Sequence, residues 1–336
     1  MEIIHTSISN NILLAWGTLI VAFAILAKSA DLFVESAVML AERFKIPKLV
    51  IGIVLVSIAT SLPELTVSLV AALRGKPEMA IGNAVGSVIC NEGIALALAG
   101  IISFSAIAVE PKLFRLTALF LITSQVLTFL FVLNGYTIYR WEGAVLLTLL
   151  AMYIVFFYSK QKKMSQRETA GIEEREKMIE TKSGKSLGIS LLIFVAALIG
   201  IILSSESVVT SSTAIAHWMK IPQSFIALTI IALGTSLPEI STSIVAARRG
   251  HGEIALGNIL GSDILNICLV IGVSAVANPL TLGRNEALFM FPSMFVIVGA
   301  MLIMLKSGYK LTRKKGFALL ALYGVYIISF VVIFRV

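Results

Sequence analysis

The sequence predicts an all-α integral membrane protein with ten transmembrane helices in two five-helix repeats of inverted topology. Hydrophobic residues make up 58% of the 336 positions and charged residues only 14%, whereas soluble globular chains carry roughly 25% charged residues. The apolar positions form ten segments of helical length, and one 32-residue stretch recurs 175 positions later. A large soluble domain with so apolar a surface would aggregate, so we expect a lipid bilayer around it.

Ten apolar segments are long enough to cross a membrane, which takes about 20 residues of helix. The mixed-charge stretch after the fifth segment, at 160–186, is interpreted as a solvated linker. The chain therefore divides into a first repeat at 1–159, the linker, and a second repeat at 187–336. The predicted spans are 12–37, 46–73, 79–104, 112–134, 141–159, 187–217, 221–248, 253–277, 286–305 and 315–335.

Lysine and arginine are distributed unevenly between the two sides of these spans. With the N-terminus outside, 21 of the 27 basic residues fall on the inner side and 6 on the outer side. Because basic residues concentrate on the cytoplasmic side, we expect a cell-membrane protein with both termini outside and the linker in the cytoplasm. The net charge of +8 is spread over many segment ends, which argues against a nucleic-acid partner.

An internal repeat underlies the predicted inversion. TSLPELTVSLVAALRGKPEMAIGNAVGSVICN (60–91) aligns without a gap on TSLPEISTSIVAARRGHGEIALGNILGSDILN (235–266), with 19 of 32 positions identical. Five spans separate equivalent points, and because five is odd the second copy enters the membrane upside down. Such repeats are typical of secondary transporters with a site near the bilayer midplane. The core motifs are 57–91 and 232–266.

Each copy places a proline next to a glutamate inside an apolar span: Pro63 and Glu64, Pro238 and Glu239. The prolines lack an N–H, so a backbone carbonyl one turn earlier loses its helical partner. A carboxylate at the bilayer centre costs at least ~2.5 kcal/mol. No Lys or Arg lies in the middle of spans two, three, seven or eight to pair with the glutamates. We therefore expect a proton or a metal cation to supply the compensating charge.

Neutral oxygen-bearing side chains recur at helical spacing around the two glutamates. They offer hydroxyl and amide oxygens, which suit hard cations such as Ca²⁺ and Na⁺ and disfavour zinc or copper. The candidate ligands of this kind are Ser57, Thr60, Ser61, Ser87, Asn91, Thr235, Ser236, Ser262 and Asn266. For a serine or threonine alone, bonding to the carbonyl one turn back is the competing structural role.

Glycines four positions apart form a small face in each copy: Gly82 and Gly86, then Gly257 and Gly261. Small residues at this spacing let helices approach closely. We expect these faces to bring spans two and three together around the site.

The sequence gives no sign of catalytic, cofactor or redox chemistry. It contains no HExxH motif, and its three histidines are scattered near span ends. Cys90 and Cys268 lie inside apolar runs without metal-type spacing, so we expect free thiols. We therefore predict neither an enzyme nor a bound cofactor.

TSLPE followed by GNxxGS, in two copies spread over ten spans, resembles the cation/calcium exchanger superfamily, and most of all its prokaryotic sodium/calcium exchangers. The resemblance covers nearly the whole chain and implies exchange of Na⁺ for Ca²⁺ by alternating access. It also implies that the first and sixth spans slide against the remaining helices. A monomer is compatible with this interpretation, and calcium, sodium and lipid are the expected partners.

The resemblance implies a role for each candidate residue. Glu64 and Glu239 would be the chief Ca²⁺ ligands and would also contact Na⁺. The carbonyls of Thr60 and Thr235 would contribute to the Ca²⁺ site. The hydroxyls implied as Na⁺ ligands belong to Ser61, Ser87, Ser236 and Ser262. The carbonyls implied at the outer Na⁺ sites belong to Ser57 and Ala232, and the amides at the centre to Asn91 and Asn266.

Three residues depart from the superfamily pattern. Asn266 stands where a close relative has an aspartate, Asp263 stands where an asparagine is usual, and Glu92 stands where an apolar residue is usual. Asp263 lies three residues before Asn266 and so near the same helix face. Asp263 or Glu92 either restores a negative charge to the ion site or faces a polar cavity, and the sequence leaves both roles open.

Other functions remain open from sequence alone. A calcium/proton exchanger of the same superfamily would also use buried glutamates, but the hydroxyl ligands favour Na⁺. Calcium/proton exchangers usually carry a glutamate after the glycine–asparagine pair, where Ala84 and Ile259 stand here. A cation channel would fit the carboxylates, but inverted repeats with broken helices favour alternating access. Manganese or another divalent ion could replace calcium as the substrate.

Overall fold

The computed structural model describes residues 11–44, 48–172, 187–219 and 232–334, and it is almost entirely helical. Within these ranges every one of the ten predicted segments contains α-helix. Seven of the described helices are long and apolar enough to cross a membrane, and one bent pair could form an eighth span. The start of the predicted seventh span, at 221–231, lies outside the described residues.

Each half alternates long helices with short interrupted ones. The first half contains α1 (Ile12–Arg43), α2 (Lys48–Ile51), a π-helical turn (Gly52–Val56), α3 (Ser57–Thr60), α4 (Leu62–Leu73), α5 (Pro77–Cys90), a π-helical turn (Asn91–Leu96), α6 (Ala97–Ile102), β1 (Ile107–Ala108), α7 (Pro111–Leu133), β2 (Thr137–Ile138) and α8 (Arg140–Ile172). The second half contains α9 (Leu187–Trp218), α10 (Ala232–Thr235), α11 (Leu237–Arg248), α12 (Gly252–Leu265), a π-helical turn (Asn266–Val270), α13 (Ile271–Ala277), β3 (Leu280–Thr281), α14 (Arg284–Lys306), β4 (Lys310–Leu311) and α15 (Arg313–Phe334).

Helix α8, which contains the fifth predicted span, continues beyond the predicted end of that span at residue 159 and reaches Ile172. The first part of the predicted linker is therefore helical. The segment 160–170 is rich in Lys, Gln, Met, Arg and Glu and contains no Gly or Pro, so nothing in it stops a helix. The rest of the linker, 173–186, lies outside the described residues.

The two halves break a helix at equivalent serines. Ser61 (φ −84°, ψ 3°) separates α3 from α4, and Ser236 (φ −88°, ψ 4°) separates α10 from α11. In both halves the proline lies in the first turn of the new helix, where its missing N–H costs little. The first break bends the chain by 48°. Glu64 and Glu239, in the first turns of α4 and α11, are buried, so both helices begin inside the protein.

Two short β-ribbons connect the halves through matching contacts. β1 pairs antiparallel with β4, and β2 pairs antiparallel with β3. A Gly-Tyr turn precedes both β2 and β4, and its tyrosine has a positive φ, 55° at Tyr136 and 49° at Tyr309. The Tyr136 carbonyl accepts a hydrogen bond from Leu282, and the Tyr309 carbonyl accepts one from Val109. Reciprocal contacts of this kind are what a two-fold relationship between the halves produces.

Helix α1 packs along α9, and this pair also contacts α11. On the outside of the molecule, large apolar side chains are exposed along the long helices, including Leu13, Ile303 and Val332. The interior instead holds many buried polar side chains beside the apolar core. Lipid is the solvent that suits such an exterior.

One close helix contact depends on glycine. A Cβ on Gly261 would lie 2.5 Å from the Ile53 carbonyl oxygen, and one on Gly52 would lie 2.6 Å from that of Ile254. The glycine face of α12 therefore packs against span two of the other half, whereas we expected such faces to bring spans two and three together. For Gly82 and Gly86, a Cβ would meet nothing within 4 Å among the described residues.

Candidate functional site

The two repeat glutamates lie side by side in the interior. Glu64 and Glu239 are both 0% exposed, each lies in the first turn of its helix, and their carboxylates are close enough to interact directly. Neither oxygen of Glu64 has a hydrogen-bond partner among the described residues, and Oε2 of Glu239 also has none there. The N-terminal end of a helix favours a negative charge, but this partial charge cannot balance two adjacent carboxylates.

Hydroxyls from both halves surround Glu239. Ser61 Oγ and Ser262 Oγ each donate a hydrogen bond to Glu239 Oε1 at 3.3 Å. The two hydroxyls are 3.0 Å apart, and the Thr60 side chain is a further neighbour of this carboxylate. The predicted ligands Thr60, Ser61 and Ser262 are therefore brought together at Glu239, across the boundary between the two halves.

The Glu64 side contains the equivalent residues without the equivalent hydrogen bonds. Ser236 and Ser87 correspond by the 175-residue shift to Ser61 and Ser262, and both are buried. Within the part of the chain that the structure describes, their hydroxyls have no hydrogen-bond partner, like both oxygens of Glu64. The site thus presents buried oxygens whose lone pairs are free to contact an ion.

Two asparagines that were not among the predicted site residues accept hydrogen bonds from the threonines of the site. The Thr60 hydroxyl donates to Asn258 Oδ1 at 3.1 Å, and the Thr235 hydroxyl donates to Asn83 Oδ1 at 3.0 Å. Asn83 also donates to the Glu64 carbonyl at 3.3 Å. These are again reciprocal contacts between the halves. The signal for Asn83 and Asn258 was available, because both follow a glycine in the repeated GN pair.

The asparagines are in turn held by the hydroxyls of the broken helices. Asn83 donates to Ser68 Oγ at 3.0 Å, and Asn258 donates to Ser243 Oγ at 3.2 Å and Thr242 Oγ1 at 3.1 Å. The amide orientations, and with them the threonines, are therefore set by hydrogen bonds to α4 and α11.

Ser57 and Ala232 occupy the helical turns before the breaks. The Ser57 carbonyl accepts the Ser61 N–H at 2.9 Å and the Thr60 hydroxyl at 3.4 Å, and the Ser57 hydroxyl donates to the Ile53 carbonyl. Ala232 begins α10, and its side chain lies outside what the structure describes. The Ser57 carbonyl thus already accepts hydrogen bonds from two donors of the following turn.

Two of the residues that depart from the superfamily pattern, Glu92 and Asp263, lie together with Asn91 in the interior. Asn91 Nδ2 donates to Asp263 Oδ1 at 3.0 Å, and Glu92 lies beside Asp263. Asn266, three residues after Asp263, has no hydrogen-bond partner for either side-chain atom. All four side chains are 0% exposed. The structure therefore brings Glu92 and Asp263, from different halves, into one place.

Among the described residues, no ion pair joins a basic side chain to Glu64, Glu239, Glu92 or Asp263. The ion pairs that are present include those of Asp31 and Glu35 of α1 with Arg249 or Lys28. In the described part of the chain, no group of three or more His, Cys, Asp or Glu is placed so that it could hold a metal ion. Cys90 and Cys268 are buried free thiols, as predicted. The arrangement provides oxygen ligands in pairs of carboxylates, which suits hard cations and not thiophilic metals.

Comparison with known proteins identifies a matching family and similar membrane proteins. The family model described as sodium/calcium exchanger protein matches residues 14–159 and 189–332. The inner membrane protein YrbG of Escherichia coli (strain K12) is 35% identical over 272 residues, which cover 80% of this chain and 81% of YrbG. The sodium/calcium exchanger MaX1 of Methanosarcina acetivorans is 29% identical over 92% of this chain and 96% of its own.

A solved structure is similar over nearly the full length. The sodium-calcium exchanger NCX_Mj, soaked with Na⁺ and Sr²⁺, matches with a TM-score of 0.79 and 28% sequence identity. The match covers 95% of this chain and 99% of that one.

Proposed function

Because the chain belongs to the sodium/calcium exchanger protein family, we propose that it is a secondary antiporter that exchanges Na⁺ for Ca²⁺ by alternating access. The observation that carries the proposal is the Glu64–Glu239 pair, two fully buried adjacent carboxylates that no basic side chain of the described residues neutralises. Two adjacent carboxylates in a water-poor interior are costly unless cations balance them. One Ca²⁺ balances two negative charges, and so do two Na⁺.

Shared ligands provide the coupling in this proposal. Ca²⁺ binds Glu64 and Glu239 with the carbonyls of Thr60 and Thr235, and Na⁺ uses the same carboxylates. Hydroxyl ligands for Na⁺ come from Ser61, Ser87, Ser236 and Ser262, with the carbonyls of Ser57 and Ala232 at the outer positions and the amides of Asn91 and Asn266 at the centre. Since both ions need the same two charges, they displace each other. The hydrogen bonds of Ser61 and Ser262 to Glu239 support this assignment, because they place hydroxyl oxygens next to the shared carboxylate.

Alternating access requires part of the protein to move past the site. We assign this role to the pair α1 and α9, which pack along each other. Arg249, directly after α11, contacts Asp31 of α1 at 2.6 Å, and this contact is the polar connection between the moving pair and the helix that carries Glu239.

The proposed topology places ten helices in two inverted repeats, with both termini outside and the linker at 160–186 in the cytoplasm. Its support is the reciprocal pairing of the β-ribbons together with the 21-to-6 distribution of basic residues. Single cysteines placed in the linker of a Cys90→Ser, Cys268→Ser background test it. We expect labelling by a membrane-impermeant maleimide from the cytoplasmic side only, and labelling from outside would reverse the orientation.

The test of function is flux in proteoliposomes. Vesicles loaded with Na⁺ are diluted into Na⁺-free buffer and the uptake of radioactive Ca²⁺ is measured. We expect uptake that depends on internal Na⁺ and disappears in Glu239→Gln. Matched vesicles with a proton gradient and no Na⁺ separate the calcium/proton alternative, because that exchanger would take up Ca²⁺ in them. Uptake without any counter-ion would indicate a channel.

A further inference from the structure

Glu92 and Asp263 form a second pair of buried carboxylates beside the transport site. Both residues are 0% exposed and adjacent to each other, although they come from the π-helical turn at Asn91–Leu96 and from α12. Both oxygens of Glu92 and Oδ2 of Asp263 have no hydrogen-bond partner in the ranges that the structure describes. Asp263 Oδ1 receives one hydrogen bond, from the Asn91 amide.

The Asn91 amide lies beside this pair. The Asn91 amide is held against the carboxylates through its Nδ2, and its Oδ1 has no partner. Asn91 is 0% exposed, so water does not satisfy this oxygen at the protein surface. Asn266, one helical turn after Asp263, is equally buried and has both polar side-chain atoms without partners. Buried polar atoms left unbonded cost about 1–3 kcal/mol each, and an ion that binds them removes that cost.

The second pair is separate from the first because neighbouring residues of a helix point in different directions. Ser262 donates to Glu239, whereas Asp263, the next residue, accepts from Asn91. Successive side chains on an α-helix are rotated by about 100°. Asp263 therefore pairs with Glu92 and Asn91, whereas Ser262 contacts Glu239.

We infer that Glu92, Asp263 and the side-chain oxygen of Asn91 form a second cation site, which holds one divalent ion of the calcium class. The ligands are all oxygen, as hard cations require, and two carboxylates match the charge of one divalent ion. This site borders the proposed transport site and shares Asn91 with it, but its two carboxylates are different ones, and its occupancy does not depend on exchange taking place.

The inference is tested by counting bound ions. The purified full-length protein is equilibrated with radioactive Ca²⁺ in detergent and Na⁺-free buffer, and the bound Ca²⁺ per chain is measured at saturation. We expect two Ca²⁺ for the wild type. The Glu92→Gln, Asp263→Asn variant should bind one, and so should the Glu64→Gln, Glu239→Gln variant. A wild type that binds one Ca²⁺, or a Glu92→Gln, Asp263→Asn variant that still binds two, overturns the second site.

Two controls protect this result from a folding artefact. Glu142→Gln changes another buried glutamate, one that caps a helix by accepting the Tyr139 N–H at 2.8 Å, and should still bind two Ca²⁺. The Glu92→Gln, Asp263→Asn variant should keep its remaining Ca²⁺ site and elute as a single species. If it does not fold, Asp263→Asn alone replaces it and should also lower the count from two to one. Na⁺-dependent uptake is measured in parallel, so the transport proposal can fail or survive independently.

Discussion

The close approach of α12 to span two makes Gly261→Ala a sensitive test of how the transport site is held together. The new Cβ would lie 2.5 Å from the Ile53 carbonyl oxygen and 2.6 Å from the Ser57 hydroxyl. Carbon contacts normally begin at about 3.5 Å, so the two segments must separate by about 1 Å. A backbone carbonyl within a helical turn cannot rotate away, and the strain therefore falls on the helix packing.

That separation acts on the ion ligands directly. Ser262 follows Gly261 in the chain, and its hydroxyl is 3.0 Å from that of Ser61. An increase of about 1 Å takes this distance beyond the range of a hydrogen bond. Overpacking of this kind costs about 1–3 kcal/mol, and 1.4 kcal/mol corresponds to about tenfold in affinity. We expect the Ca²⁺ concentration for half-maximal uptake to rise about tenfold or more.

The assay is Na⁺-dependent Ca²⁺ uptake in proteoliposomes, measured over a range of external Ca²⁺. Gly299→Ala is the matched control, because a Cβ there meets nothing within 4 Å among the described residues. It makes the same chemical change in a membrane helix and should leave uptake unchanged. Wild-type affinity in Gly261→Ala would refute the reasoning, since the ligand geometry would then not depend on this contact.

Three further predictions follow from contacts described above. Asn258→Ala removes the acceptor of the Thr60 hydroxyl and should destabilise the protein by about 1–3 kcal/mol; an unchanged thermal midpoint in detergent would contradict this. Cys268, 0% exposed, should react with a maleimide only after denaturation, and labelling of the native protein would show that its surroundings open. Arg249→Gln breaks a partly exposed ion pair with Asp31, so it should change stability by under about 1 kcal/mol but alter the maximal exchange rate at constant Ca²⁺ affinity. An unaltered rate would remove Arg249 from the proposed motion.

Much of the fold was accessible from the sequence because its signals are local. Hydrophobic segments of membrane-spanning length predicted helices in the right places, and the prolines predicted the helix breaks, which the structure places two residues earlier at Ser61 and Ser236. The burial of Glu64 and Glu239 followed from their position in apolar spans. The family expected from the repeated motifs is confirmed by the match over both halves.

The remaining features depend on contacts between distant parts of the chain. Glu92 meets Asp263, 171 positions away in the sequence, and no local pattern encodes that encounter. The π-helical turns at Asn91–Leu96 and Asn266–Val270 likewise carry no distinct sequence signature. Asn83 and Asn258 are a different case. Both are conserved between the two repeats in the GN pair, but the packing role expected for the glycines already accounted for that pair. Their hydrogen bonds to the threonines of the opposite half are visible only in the structure.

The Glu92–Asp263 pair also bears on the direction of transport. The hydrogen bonds of Thr60 and Thr235 to the asparagines are repeated in both halves, so that part of the protein presents the same arrangement towards either face of the membrane. The second carboxylate pair is not repeated, because Ile267 and Val88 stand at the positions equivalent to Glu92 and Asp263. A carboxylate pair without a repeat counterpart makes the two halves chemically unequal, and we expect the inward-facing and outward-facing states of the proposed exchanger to differ in energy. Such a protein would work at different rates in the two directions under the same ion gradient.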